Sequence, residues 1–288
     1  MKTWETLKSD EDRSVNFVAA YRDGGKIECR YVSRSDEYFI AYLSSHRGCQ
    51  HSCRFCHLTA TGQTDFTPVT LDEYLEQARI VIDYHKGLGS PCRKVNFNWM
   101  SRGEALSNPV IQDRAHNLID GLDELAEEAG LLAEYNISTI IPRETTSLME
   151  TFGELPVNLY YSMYSTDPAF RKKWLPKAKP YRESLDLLSE WAGKEGREVI
   201  FHWALIKGEN DSEEEMAKCL EEITSRNMAF RFNLVRYNPY SEKQGEESSD
   251  EVYRARFQQI LAAGANPKSK IVPRVGFDVK ASCGMFVK

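Results

Sequence analysis

Three of the chain's seven cysteines fall within eight residues, Cys49-Gln-His-Ser-Cys53-Arg-Phe-Cys56, and no other stretch gathers reactive side chains so tightly. The C-x3-C-x2-C spacing sets three thiolates on one short loop. They can coordinate three irons of a [4Fe–4S] cubane and leave the fourth iron open to a chelating ligand. The competing reading is a Cys3His zinc site with His46, His51 or His57 as fourth ligand. Structural zinc sites more often join a C-x2-C pair to a second, distant pair, and Cys29, Cys92, Cys219 and Cys283 are too dispersed to supply one. An odd cysteine count without a secretion signal reads as reduced thiols and not as disulfides.

A loop of this kind needs a scaffold to aim it. VNFVAAYR and KIECRYVS flank the turn Asp23-Gly24-Gly25 and read as a β-hairpin. From about residue 37 strand patterns alternate with helical ones, beginning with YFIAYLSS, KVNFNWMS and AEYNIST and ending with SKIVPRV. The segment TLDEYLEQARIVIDYHKG is amphipathic, with Thr70 as N-cap and Gly87 as its stop. Alternation of this kind implies parallel βαβ units. The expected fold is α/β: a partial (β/α)6 barrel over residues 37–288, ending in a tail, behind a leader and hairpin over residues 1–36. Residues 1–13 read as a frayed or loosely docked leader. Barrel enzymes keep their chemistry on loops at the C-terminal ends of strands, and the cysteine loop follows the first barrel strand.

The 288 residues carry a net charge of −6, which gives no general case for nucleic-acid binding. Local basic stretches remain, around Arg171, Lys172, Lys173, Lys177 and Lys179 and again at Arg231, Arg236, Lys268, Lys270 and Arg274. Their default reading is a solvated face. The polar start MKTWETLKSDEDRS has no apolar h-region, and no apolar run is long enough to span a bilayer. A cytoplasmic protein without a membrane partner is expected.

After the second barrel strand comes Ser101-Arg102-Gly103-Glu104-Ala105-Leu106. A glycine here lets backbone approach a ligand, and a carboxylate accepts hydrogen bonds from an ammonium group. Taken with LSSHRGCQHSCRFC, SRGEALSNP, YYSMY, KGENDSEEE, VRYNPYS and GFDVKASCGMF, the chain resembles the radical SAM adenine methyltransferases, the family of RlmN and Cfr, from about residue 20 to the end. That family methylates adenine carbons in ribosomal or transfer RNA. The resemblance implies a radical SAM barrel, a [4Fe–4S] cluster on Cys49, Cys53 and Cys56 with Phe55 in its loop, and S-adenosylmethionine (SAM) as cofactor. Glu104, beside Gly103, would bind the SAM amino group, and Ser138, Ser162 and Asn238 would line the rest of its pocket. RNA or a nucleotide would be the substrate, and a reducing donor such as flavodoxin or ferredoxin would supply electrons.

By position alone Cys283 is a small apolar filler or a surface thiol. By the resemblance it is the methyl-carrying cysteine: one SAM methylates its sulfur, a second yields the radical that activates the S-methyl group, and the carbon radical adds to an sp² carbon of adenine. The family's second cysteine, seven residues before the first cluster cysteine, is here Tyr42. Tyr42 or a water it orients could act as the base in its place, Cys29 could reach in from the hairpin, or the substrate needs no such release step. Those relatives also carry a further N-terminal domain, of which this sequence shows only the hairpin, so a smaller RNA or a nucleotide gains weight. Trp99, Tyr160, Tyr161, Tyr164, Tyr237 and Tyr240 could stack on bases, although strand positions equally suit barrel lining. Two other readings stand beside this one: a radical SAM enzyme performing a different reaction on a nucleotide-like substrate, and a non-catalytic zinc- or nucleic-acid-binding module.

Overall fold

The computed structural model describes residues 2–193 and 196–288. The chain runs β1 (Thr3–Lys8), β2 (Val15–Ala20), β3 (Lys26–Val32), β4 (Phe39–Tyr42), α1 (His57–Ala60), α2 (Leu71–Gly87), β5 (Lys94–Trp99), α3 (Pro109–Glu128), β6 (Leu132–Thr139), α4 (Leu148–Phe152) and β7 (Val157–Tyr161). It continues through α5 (Pro168–Trp174), α6 (Tyr181–Gly193), β8 (Val199–Ala204), α7 (Glu213–Thr224), β9 (Phe230–Val235) and α8 (Asp250–Ala262) to β10 (Lys270–Val272). Among the described residues ten strands form one sheet in sequence order. Strands β1 to β4 pair antiparallel, and β4 to β10 pair parallel.

Six βα units and the closing strand β10 thus follow the hairpin, as the alternation predicts. The sheet is rolled: Ile40, Asn98, Asn136, Tyr160, His202, Asn233 and Val272, one from each parallel strand, line a single cavity. Such lining requires a barrel wall and not a flat sheet. The helices start where local chemistry says they should. At α2, Thr70 accepts from the backbone N–H of Glu73 while the Glu73 carboxylate accepts from the Thr70 N–H, a complete capping box. Among the described residues no helix is long and apolar enough to cross a membrane.

Residues 3–8 depart from the expected loose leader. They form β1, paired with β2 from Thr3 opposite Ala20 to Lys8 opposite Val15. Trp4 donates its indole N–H to Glu76 on α2 at 2.9 Å, and Lys2 lies between Glu73 and Glu76. Only Trp4 and Leu7 of this strand are even partly buried, so its sequence shows little apolar alternation. The hairpin is also continuous with the barrel, since Arg30 of β3 pairs with Tyr42 of β4.

Candidate active site

Beyond β4 the backbone keeps pairing with the segment after β5. Leu43 N–H donates to the Asn98 carbonyl, and the N–H groups of Ser45 and His46 donate to the Arg102 carbonyl. This extension draws the cysteine loop against Gly103 and Glu104. Gly103 sits at φ +96°, and a Cβ there would meet Ser45 Oγ at 2.4 Å and His46 Nδ1 at 2.5 Å. The glycine is therefore required first by the approach of the two loops. Gly48 has a similar role, since a Cβ would lie 2.5 Å from the Gln63 carbonyl oxygen.

The loop turns through Ser52 at φ +58° and ends with Cys56 as the N-cap of α1. Cys49, Cys53 and Cys56 are free thiols on the wall of one cavity. Burial, and then the neighbouring thiols, push Cys49 up to about 12 and Cys53 well upward; burial raises Cys56 too. Such a trio makes poor anions alone and good ligands for a cationic centre between them. Among the described residues no three His, Cys, Asp or Glu side chains converge on a point that would hold a single ion. Three thiols on one loop and one cavity wall are the donors that an iron–sulfur cubane takes, so the donor set fits a cluster. Two histidines of the zinc reading are otherwise engaged, while His51 lines the same cavity with its Nδ1 buried and unpartnered. His46 lies flat on Phe66 with ring centroids 3.9 Å apart, His57 Nε2 pairs with the Asn238 carbonyl, and His51 Nε2 pairs with Ser107 Oγ.

The same cavity is lined by Phe55, Gly103, Glu104, Ser138, Ser162 and Cys283. Phe55 is stacked on Tyr164 at 4.5 Å. Glu104 is buried, and its two carboxyl oxygens accept from the backbone N–H groups of Leu106 and Ile140. Burial outweighs those hydrogen bonds and pushes its carboxyl up to about 7. A ligand ammonium would offset that penalty. Asn238 departs from the expectation: it is not on this wall. Its amide donates to the Cys283 carbonyl at 2.9 Å and to Ser282 Oγ, and its Oδ1 accepts from Arg274. It holds the tail that carries the thiol.

That tail is fastened from several sides. His57 N–H donates to the Gly284 carbonyl. Glu28 of β3, fully buried, accepts from Arg30, Arg102, Asn16 and the Val287 N–H. Arg30 and Arg102 in turn donate to the carbonyls of Met285 and Val287, both at 2.6 Å, and both guanidinium groups lie over the Phe286 ring. Sequence inspection did not single out this network, and residues 74 positions apart leave no local signal. Cys283 presents surface to two cavities, the cysteine-lined one and the barrel interior. It nevertheless lies inside the molecular envelope, and burial pushes its thiol up to about 11.

Tyr42 faces the barrel cavity along with Cys283. Cys29 does not. The strand pleat turns Glu28 and Arg30 toward the tail and Cys29 to the opposite face, where it is fully buried in the core and feels Glu76 of α2. Its reach into the site is thereby ruled out. Of the candidate stacking aromatics, Trp99 and Tyr164 line the cysteine cavity and Tyr160 the barrel cavity. Tyr161 and Tyr237 are core residues, and Tyr240 is exposed. The barrel interior also holds residues that the sequence reading missed. Asn158 donates to Asn136 and Asn136 to Asn98 across three strands, and Asn96, Asn233 and His202 face the same space. Asparagine is depleted in strands, and NFN in β5 was the available signal.

No model of a known protein family matches the chain. Similar proteins include the probable dual-specificity RNA methyltransferase RlmN of Clostridium acetobutylicum, 29% identical over 285 residues, covering 96% of this chain and 76% of the relative. The dual-specificity RNA methyltransferase RlmN of Solidesulfovibrio magneticus is 27% identical over 291 residues, covering 97% and 77%. Among solved structures, a radical SAM methyltransferase from Sphaerobacter thermophilus superposes with a TM-score of 0.78 at 19% identity, over 99% of this chain and 80% of that one. The resemblance read from the motifs is borne out by relatives bearing the family's name, and the barrel by a solved structure of the same architecture.

Proposed function

We propose that the protein is a radical SAM methyltransferase that moves a methyl group held on Cys283 to an sp² carbon, that of adenine in RNA or in a nucleotide. The names of its relatives support methylation of RNA. Radical SAM methyltransferases of this kind use a [4Fe–4S] cluster and SAM. In this reading Cys49, Cys53 and Cys56 hold the cluster. Glu104 takes the SAM amino group, next to Gly103, and Phe55, Ser138 and Ser162 form the walls around it. When bound, the cluster supplies the electron that breaks SAM into methionine and a 5′-deoxyadenosyl radical; flavodoxin or ferredoxin is the class of donor that would deliver it.

The single observation carrying the proposal is that Cys283 faces both cavities. A methyl carrier must accept from the SAM side and deliver to the substrate side without leaving its seat. The Cys283 sulfur gives up its proton, takes the methyl by displacement and holds it as a thioether until a hydrogen atom is removed from it. Arg30 and Arg34 lie close enough to favour the thiolate against the burial that opposes it. Tyr42 shares the substrate side and is the side chain proposed to take the proton, directly or through water, from the methylated ring carbon; the C–S bond then breaks, and the thiyl left on Cys283 is returned to thiolate by one electron from the same class of donor.

The test is anaerobic reconstitution with iron and sulfide, reduction, and incubation with SAM. The expected results are 5′-deoxyadenosine and a Cys283 peptide heavier by one methylene. A protein that forms 5′-deoxyadenosine but never carries mass on Cys283 would leave SAM cleavage in place and remove the methyl-carrier role.

A further inference from the structure

On the far side of Cys283 the barrel encloses about 820 Å³ of space free of protein atoms, its mouth included. Among the described residues five cationic side chains line it and no carboxylate does. Three of the five are already engaged: Arg30 with Glu28, Arg236 with Asp250 and Arg274 with Glu247. Arg34 and Lys270 have no carboxylate partner among the described residues. Lys270 keeps an exposed side at the start of β10; burial of the rest, and then the charges of Arg34 and Arg231, pull it below its usual value. His202, in the same wall, is held down to about 4 by burial and then by Arg34 and Lys270, so it stays a neutral hydrogen-bonding group.

Several polar atoms here have no partner. Arg34 Nε, Asn96 Oδ1 and Asn233 Oδ1 are buried without one. Each such atom carries a desolvation cost if nothing arrives to satisfy it. Like charges crowded without a counter-charge add to that cost. A ligand that brings an anion and a hydrogen-bonding ring would remove both penalties together.

We propose that this cavity seats a nucleoside monophosphate unit, its phosphate on Arg34 and Lys270 and its ring among the barrel asparagines, directed toward Cys283. The proposal rests on the reading of Cys283 as methyl carrier and narrows the substrate class for it. A guanidinium fork and an ammonium point charge together suit a phosphate. Asparagine side chains offer a donor and an acceptor each, as the edge of adenine requires. Residues from all seven parallel strands bound the space. The same unit can arrive as a free mononucleotide or as one nucleotide turned out of an RNA chain.

Calorimetric titration of the cluster-loaded protein at low salt with AMP, adenosine and a short adenosine-containing oligoribonucleotide tests this. AMP is expected to bind at least about tenfold tighter than adenosine. The advantage should vanish in the double variant Arg34→Gln/Lys270→Gln, which still binds adenosine as before, and should largely survive in Arg34→Lys. An oligoribonucleotide that outbinds AMP and loses its gain in the double variant assigns the unit to RNA; one that does not assigns it to a free nucleotide. Equal affinities for AMP and adenosine, or a preference that persists in the double variant, overturn the proposal. The titration reads no methyl transfer. Phosphate preference without mass on Cys283 therefore sinks only the carrier role, and mass on Cys283 without phosphate preference sinks only this inference.

Discussion

The two cavities that meet at Cys283 are built from different parts of the chain. The cysteine side is made by loops: the turn after β4, the Gly103-Glu104 segment and the ends of β6 and β7, with most of its surface apolar or thiol. The barrel side is made largely by strand residues pointing inward, polar or cationic for the greater part with Ile40, Val235 and Val272 between them, and among the described residues no carboxylate lies on its wall. Loops packed against loops can place three thiols at fixed spacing through local turns and glycines. A ring of strands can hold hydrogen-bonding side chains rigidly around a substrate but offers no sharp turn on which to mount a cluster. On the proposed reading, reactivity and recognition fall to different structural materials, with one thiol at their boundary.

The sharpest way to break this division is to remove one side. Replacing Cys49, Cys53 and Cys56 together by serine is expected to abolish iron binding and 5′-deoxyadenosine formation, measured by iron content and chromatography. Nucleotide binding on the barrel side should persist. A parallel loss of both would show that the cavities are one site.

A smaller but still large effect is expected at the boundary itself. Glu28→Ala leaves Arg30 and Arg102 buried without their counter-ion, a change of about 3–5 kcal/mol. A drop in the thermal midpoint and early protease cleavage within the Cys283 tail would register it. An unchanged midpoint would mean that the tail is held by its packing alone.

Acidification probes both sides at once, through His46 on the loop side and His202 on the wall. Burial holds both imidazoles down to about 4. In the unfolded chain they take up protons near 6.5, so as pH falls from about 6.5 to 4 the unfolded state gains protons that the folded state refuses. Stability is complete above that window and declines through it, by at most about 3 kcal/mol per histidine. Urea midpoints at neutral and mildly acid pH would show it, and His202→Gln should flatten part of the slope.

The smallest expected change concerns release. Tyr42→Cys should raise the number of turnovers per protein, and Tyr42→Phe should leave methylation of Cys283 unchanged while slowing product formation. A Tyr42→Phe variant with unaltered product formation would remove Tyr42 from the release step.

The same contrast explains what could be read in advance. The cysteine loop and Gly103-Glu104 announce themselves because loop chemistry is written in consecutive residues. The helices and parallel strands followed from periodicity and from caps such as Thr70. The barrel lining did not, because strand alternation shows that Asn96 and Asn98 share a face but not whether that face meets solvent, core or cavity. Strand β1 was missed because an edge strand with two half-buried side chains has almost no apolar period. The Glu28 network was invisible because its members come from opposite ends of the sequence. The pleat of β3 excluded Cys29 once the face of Glu28 was known, a parity that residue counting could not orient.

The bond from the Val287 N–H to Glu28 joins residues 259 positions apart. Contacts of such separation form late in folding, after the cost of closing the intervening chain has been met by the rest of the barrel. The tail that carries Cys283 is therefore seated only once β3 and the closing end of the chain have come together. On the proposed reading of Cys283, a half-assembled barrel would present the cysteine loop without the thiol that is to take the methyl group.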